Sequence, residues 1–164
     1  MNTNQDYIIA IPTYNRPNII MNKTLKLLKD YDIPNEKIII FVKDQEQLNL
    51  YQDIILNYNL VLTGASGIME TRNTIQAFFY YETSYTNVVY IDDDIDSLWD
   101  MDKKLDNLDS FITKAFIDTK QLGYNLWGVS ALHNPFYMSE KTTTNAKYIC
   151  GAFFGEIFDR DKYP

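Results

Sequence analysis

The chain has 164 residues, of which 46% are apolar and 15% aromatic, which excludes a disordered polar segment and is enough to build the core of one domain. Its net charge of −7, with no visible run of lysine or arginine, disfavours non-specific binding to nucleic-acid phosphates. One cysteine, Cys150, excludes an internal disulfide, fits a reducing compartment and reads as a small core residue. Tyr7 to Ile11 then predicts a buried first strand, which runs into the turn-forming loop Pro12-Thr13-Tyr14-Asn15-Arg16-Pro17. Asn18 is the expected cap of a helix to about Tyr31, with Ile19, Leu25 and Leu28 inward. Lys37 to Val42 is a second strand ending at Lys43-Asp44. A helix from about Gln45 to Asn57 follows, with Leu48, Tyr51, Ile55 and Leu56 as its apolar positions. Leu60 to Leu62 is a short third strand closed by Thr63-Gly64-Ala65-Ser66-Gly67, and Ile68 to Tyr81 is the next helix.

Asn87 to Ile91 is a fourth strand, and it delivers Asp92-Asp93-Asp94 at its carboxyl end. Three adjacent carboxylates repel one another and lose hydration when crowded. A divalent cation removes that cost, since carboxylate oxygens are natural ligands of Mg²⁺, Mn²⁺ and Ca²⁺. The alternative is a solvated acidic turn in which Asp caps the next helix. Beyond the acids come a loop rich in Asp and Leu and a helix from about Asp109 to Gln121. A strand Leu126 to Ser130, a polar loop or hairpin at Ser139 to Ala146, and a strand Tyr148 to Phe154 complete the set. Strand and helix alternating at this spacing predict an α/β fold, a mostly parallel wound sheet with helices on both faces. Four strand ends then meet at one edge, where open sheets of this kind bind ligands. No internal repeat or second domain is visible, so residues 1–164 read as one domain. The polar N-terminus shows no signal peptide and no apolar run reaches membrane-spanning length, so a cytoplasmic protein is expected.

The order of these pieces resembles the GT-A class of nucleotide-sugar glycosyltransferases. Ile9-Ala10-Ile11-Pro12-Thr13-Tyr14-Asn15-Arg16-Pro17 is similar to the opening strand and loop of that class. Gly64 to Asn73 is similar to its Gly-rich turn and Ala-Arg-Asn helix start, with Thr71 in place of the alanine. Tyr90-Ile91-Asp92-Asp93-Asp94 is similar to its Asp-x-Asp metal motif. A narrower likeness joins Ile33 to Val42, the Gly-Ile-x-Glu-Thr-Arg-Asn turn, Trp127-Gly128-Val129 and Asn134-Pro135-Phe136. These resemble a viral and phage-type branch associated with modified DNA bases, which would place the protein in a host cytoplasm.

The resemblance implies a GT-A, Rossmann-like fold and a metal-dependent transfer of sugar from a nucleotide-sugar donor, a UDP-sugar by preference, with Mn²⁺ or Mg²⁺. It implies Asp94 as the direct metal contact and catalytic acidic residue. Asp92 would hold ribose hydroxyls or the metal through water, and Asp93 could exchange roles with either. Pro12, Thr13 and Asn15 would shape and line the nucleoside site. Arg16 would reach a phosphate or stack on the base, or stand as an exposed charge at a helix start. Asp44 would accept from the base, or simply cap its helix. Gly64 and Gly67 allow close approach and positive φ. Arg72 would bind the diphosphate or anchor an acid of the triplet.

Inverting members of the class carry a catalytic carboxylate well after the Asp-x-Asp. Here Glu156 is the one local substitute, placed either at the metal edge or pointing to solvent as a strand-end acid. The chain therefore reads as a donor-binding half whose acceptor half is incomplete, one that would transfer sugar poorly by itself. His133 is read as a structural histidine, with general base as the alternative. Trp127 is read as core, and Phe136 as a stacking candidate. The competing readings are a non-catalytic nucleotide-sugar-binding module and, behind it, a nucleotidyltransferase, whose first loop would need more cations than Arg16. The acceptor, whether sugar, protein or modified base, is not legible.

Overall fold

A computed structural model describes residues 7–130, 142–145, 149 and 151–160. Three strands form its centre: β1 (Ile8–Pro12), β2 (Ile38–Val42) and β4 (Asn87–Ile91). Every residue of the three is buried. That is why each reads as a nearly continuous apolar run, with only Asn87 at the start of β4 polar, the signature of a parallel sheet covered on both faces. With β3 (Asn59–Leu62), β7 (Leu126–Gly128) and β8 (Phe153–Ile157) they make one six-stranded sheet in the order β3-β2-β1-β4-β8-β7. The first four strands are parallel, whereas β8 runs antiparallel to both β4 and β7. A two-stranded ribbon of β5 (Trp99–Asp100) and β6 (Lys103–Lys104) follows the acids, where the sequence suggested only a loop.

Helices cover both faces, as the pattern implied. On one, α1 (residues 17–30) and α5 (Leu108–Gln121) pack Ile20, Leu28, Ile112 and Phe116 against Ile9, Ile11, Ile40 and Val89. On the other, α4 (Ile68–Tyr81) sets Ile75 and Phe79 against Ile8, Ala10, Phe41 and Tyr90. The period-two alternation of each strand thus divides its side chains between two cores.

Several boundaries differ from the sequence pattern. Pro17, not Asn18, opens α1; Arg16 stands in the capping position and Pro17 fills the first helical turn. The middle of α1, Met21–Leu25, is a wide π-type turn. Ile20, immediately before it, is buried and Ile19 is exposed. The expected helix at 45–57 is interrupted at Tyr51 into α2 (Gln45–Leu50) and α3 (Gln52–Ile55). The break turns Ile54 inward and leaves Ile55 and Leu56 exposed. The last strand lies further along than Tyr148 to Phe154, because pairing with β4 selects Phe153–Ile157. Cys150, His133, Phe136, the Asn134-Pro135 pair and half of the loop at 139–146 lie outside the described residues.

Candidate functional site

The carboxyl ends of β1, β2 and β4 open on a cavity of about 550 Å³, a volume typical of small-molecule sites. Its wall takes Pro12 and Thr13 from the end of β1, Lys43 beyond β2, Ala65 to Ile68 at the start of α4, and Asp92 to Asp94 beyond β4. The strand-end acids and the cations Arg16 and Arg72 therefore meet in one place.

The three acids have different surroundings. Asp93 is buried, and the Thr13 hydroxyl donates to its Oδ2 at 2.7 Å. Since the Thr13 proton goes to Asp93, the Tyr51 hydroxyl, 2.9 Å away, donates to Thr13 and accepts from the Arg16 backbone N–H at 3.0 Å. This chain of bonds from α2–α3 to the acid turn gives Asp93 a bracing role. Asp92 is half-buried. Its N–H donates to the Ala152 carbonyl, and Arg72 Nη2 donates to its Oδ1 at 2.9 Å. Burial pushes the Asp92 carboxyl above its ordinary value; Arg72 opposes the rise, and Asp94 and Asp93 add to it. Asp94 is the acid that faces solvent, with 48% of its side chain exposed.

Arg16 Nη1 lies 3.3 Å from Asp93 and 3.4 Å from Asp94, and the arginine side chain is itself 52% exposed. Both contacts are long, and the one to the exposed Asp94 is weak, about 0–1 kcal/mol. Arg72 is held more firmly, since its Nη2 also donates to the Gly151 carbonyl at 2.8 Å. Of the two roles the sequence left to Arg72, the structure displays the anchor on an acid of the triplet. The start of α4 points its backbone dipole at the same cavity, a setting suited to anions. Gly67, at φ 85°, makes the turn into that helix, and Gly64, at φ 65°, the turn before it.

Other candidates stand outside the cavity wall. Asp44 caps α2, its Oδ1 accepting from the Gln47 N–H at 3.0 Å, so its carboxylate serves the helix. Asn15, at φ 56°, lies outward, with its N–H donating to Gln47 Oε1 at 2.7 Å. Glu156 lies away from the acid edge. It pairs in register with Val88, three residues short of the end of β4, which is roughly 10 Å from the acid edge at the rise of a strand. Nor does it point freely to solvent. Gln76 Nε2 donates to it at 2.7 Å and the Tyr90 hydroxyl at 3.1 Å, on the α4 face. Trp127 packs edge-on against Phe111, Phe116 and Phe153, which is the core role.

Sequence reasoning passed over Gln47, Tyr51 and Thr24, all buried and all bonded to the loops of the site. Their signal is positional. Thr24 lies four residues from both Ile20 and Leu28, and Gln47 four before Tyr51, so each is a polar residue on an inward stripe.

The Glu156 pocket yields a stability prediction. Burial raises its carboxyl above the ordinary 4.5, against the donors Gln76 and Tyr90. A raised acid contributes stability that is full below 4.5 and lost as pH climbs through the folded-state value. Glu156→Gln removes that loss and keeps an acceptor for Tyr90. The variant is expected to melt at or above the wild-type temperature at pH 7, with the advantage gone below pH 4.5. Melting curves across pH check this, and a variant that loses ground as pH rises would show that the charge is needed.

No family model matches the chain, and no curated protein sequence matches it. Among solved structures it is similar to the mannosyltransferase PcManGT from Pyrobaculum calidifontis in complex with GDP-Man and Mn²⁺. The TM-score is 0.56 at 17% identity, over 92% of this chain and 44% of that chain. A structure of S. aureus TarS 1–349 aligns with a TM-score of 0.49 at 15% identity, over 92% of this chain and 47% of that one. The chain thus spans less than half the length of the structures it matches. At these identities the likeness is one of fold: a mixed α/β, mostly parallel six-stranded sheet flanked by helices, as in a nucleotide-sugar glycosyltransferase.

Proposed function

We propose that the chain carries the donor site of a metal-dependent glycosyltransferase that binds a nucleotide sugar. The observation that carries this reading is the convergence of Asp92 to Asp94, Arg16, Arg72 and the start of α4 on one cavity at the parallel strand ends. PcManGT, the solved glycosyltransferase of similar fold, holds GDP-Man and Mn²⁺. The resemblance of the sequence motifs favours a UDP-sugar, so both nucleotides belong in the test.

The acids fit a divalent cation. Asp94 is presented to the cavity with only long contacts to Arg16, and the charged form of Asp92 is under-compensated despite Arg72. Among the described residues no three acidic, histidine or cysteine side chains gather as a metal cage. Mg²⁺ and Mn²⁺ need none, since they take one or two carboxylates and complete their shell with water and phosphate oxygens. Asp94 would hold the ion, with Asp92 beside it. When bound, it would supply Lewis-acid stabilisation of the charge that develops on a departing diphosphate.

The remaining work belongs to the chain. Arg16, weakly held and half exposed, is able to leave the acids for a phosphate. Arg72 and the α4 start place positive potential on the opposite side. Tyr14 and Ile68, both largely exposed, give an apolar shelf on the same wall for a base. The carboxylates among the described lining residues are the triplet itself, so the proton of an attacking hydroxyl would be taken up by a group other than these lining residues.

Calorimetric titration of UDP, GDP and their sugars, with Mn²⁺ and with EDTA, tests the reading. Affinity is expected to be at least ~10-fold higher with Mn²⁺, and a nucleotide at 100 times its Kd should add about 2.7 kcal/mol of stability. Equal affinity in EDTA would remove the metal bridge, and no binding of any nucleoside diphosphate would remove the donor site. Release of nucleoside diphosphate from a bound donor separates a transferase from a pure binder.

A further inference from the structure

The acid turn is fastened from below by a residue that the donor-site reading does not use. Thr24 lies in the π-type turn Met21–Leu25 of α1 and is fully buried. Its hydroxyl donates to the main-chain carbonyl of Asp92 at 2.7 Å and accepts from the Ile95 N–H at 3.0 Å. Those two backbone groups bracket the segment that bears Asp93 and Asp94. A hydroxyl carries one donor and two acceptor positions, so a single side chain closes this loop.

The bond coincides with the irregular part of the helix. In a regular helix a threonine hydroxyl commonly bonds back to the carbonyl one turn earlier. In α1 the hydroxyl is used across the domain instead. π-type turns are rare and concentrate at functional sites. The turn coincides with the one residue of α1 that the structure shows hydrogen-bonded through its side chain to the acid segment. On the opposite side, the Asp92 N–H is tied to Ala152 of the segment entering β8, at 2.9 Å. Asp92 is therefore gripped between two elements, and the Thr24 grip reaches past the acids to Ile95.

We propose that Thr24 is a positioning residue for the acid turn: its hydroxyl clamps Asp92 to Ile95 and sets where Asp92 and Asp94 stand in the cavity. The inference rests on the donor-site reading. Without the hydroxyl, a part-buried carbonyl and a part-buried N–H lose their partner, and the turn gains by shifting to recover one.

Thr24→Val keeps the shape and deletes the hydroxyl, whereas Thr24→Ser keeps the hydroxyl. The readouts are Mn²⁺ affinity alone and with GDP or UDP, nucleotide affinity in EDTA, the exchange rate of the Ile95 amide, and the melting temperature. Thr24→Val is expected to weaken Mn²⁺ by about tenfold, with a smaller change in nucleotide affinity in EDTA and faster exchange at Ile95. Thr24→Ser is expected to restore Mn²⁺ affinity and Ile95 protection. A Thr24→Val protein that melts lower but binds Mn²⁺ as wild type when folded would reduce Thr24 to a core residue and overturn the proposal. Should Thr24→Val fail to fold, Thr24→Ala against Thr24→Ser makes the same comparison, and equal Mn²⁺ affinity in the two overturns it. A wild-type chain that binds neither Mn²⁺ nor nucleotide strikes the donor-site reading, and Ile95 exchange in the variants still decides the clamp.

Discussion

Asp94→Asn is expected to abolish the Mn²⁺-dependent part of nucleoside-diphosphate binding while the fold stays in place. Asp94 is the most exposed acid of the triplet, and its described partner is a 3.4 Å contact with the half-exposed Arg16. An amide of the same shape keeps an oxygen but loses the charge that a hard cation requires. Affinity for Mn²⁺ should fall at least ~10-fold, equivalent to about 1.4 kcal/mol or more. The apo protein loses an exposed ion pair worth about 0–1 kcal/mol and gains relief from two neighbouring carboxylates. The apo melting temperature should therefore move by no more than about 2–4 °C. Titration calorimetry and a thermal melt check both halves. A large fall in apo stability would mean that Asp94 braces the turn, as Asp93 does through Thr13 and Tyr51.

The sequence pattern exposed the site more readily than it exposed what supports the site. β1, β2 and β4 were legible because burial on both faces makes the strands apolar at almost every position, Asn87 at the start of β4 being the polar one. The limits of α4 and β4 match the pattern to the residue, since turn formers border both. Once the sheet was seen as wound, the rule that ligands meet strand ends brought Thr13, Gly67 and Asp92 together without coordinates. The π-type turn has no local signature, and the Thr24 side chain within it is bonded across the domain rather than to its own helix. The break at Tyr51 likewise follows from a hydroxyl drawn to Thr13 and to the Arg16 N–H. The surroundings of Glu156 were not legible for a related reason. Strand-end acids point to solvent by default, but the antiparallel register with β4 places this one beneath Gln76 and beside Tyr90.

Two glycines of the same segment should fail in opposite ways when replaced by alanine. A methyl on Gly155 would stand 2.2 Å from Cε2 of Trp127, and a methyl on Gly151 would stand 2.1 Å from Nη1 of Arg72. The clashes are equally severe, so the outcome depends on whether the neighbour can retreat. The indole cannot. Phe111, Phe116 and Phe153 surround it with ring centroids at 5.4–5.9 Å, and Gly155 itself lies in a strand paired on both sides. Gly155→Ala must push the β7–β8 pair apart or expel the ring, at about 3 kcal/mol or more. A fall in melting temperature of roughly 6–12 °C or greater is expected for a chain of this size. The Arg72 guanidinium, in contrast, is the far end of a flexible side chain at a cavity wall. Gly151→Ala should displace it from Asp92 and from the Gly151 carbonyl, with a fall of only ~2–4 °C in the apo melt. Nucleoside-diphosphate affinity should drop about tenfold, because the displaced cation no longer stands beside Asp92 at the cavity wall. Thermal melts and calorimetry on the two variants decide the matter. A Gly151→Ala protein with unchanged nucleotide affinity would free Arg72 from any part in binding and leave it as the anchor of Asp92 alone.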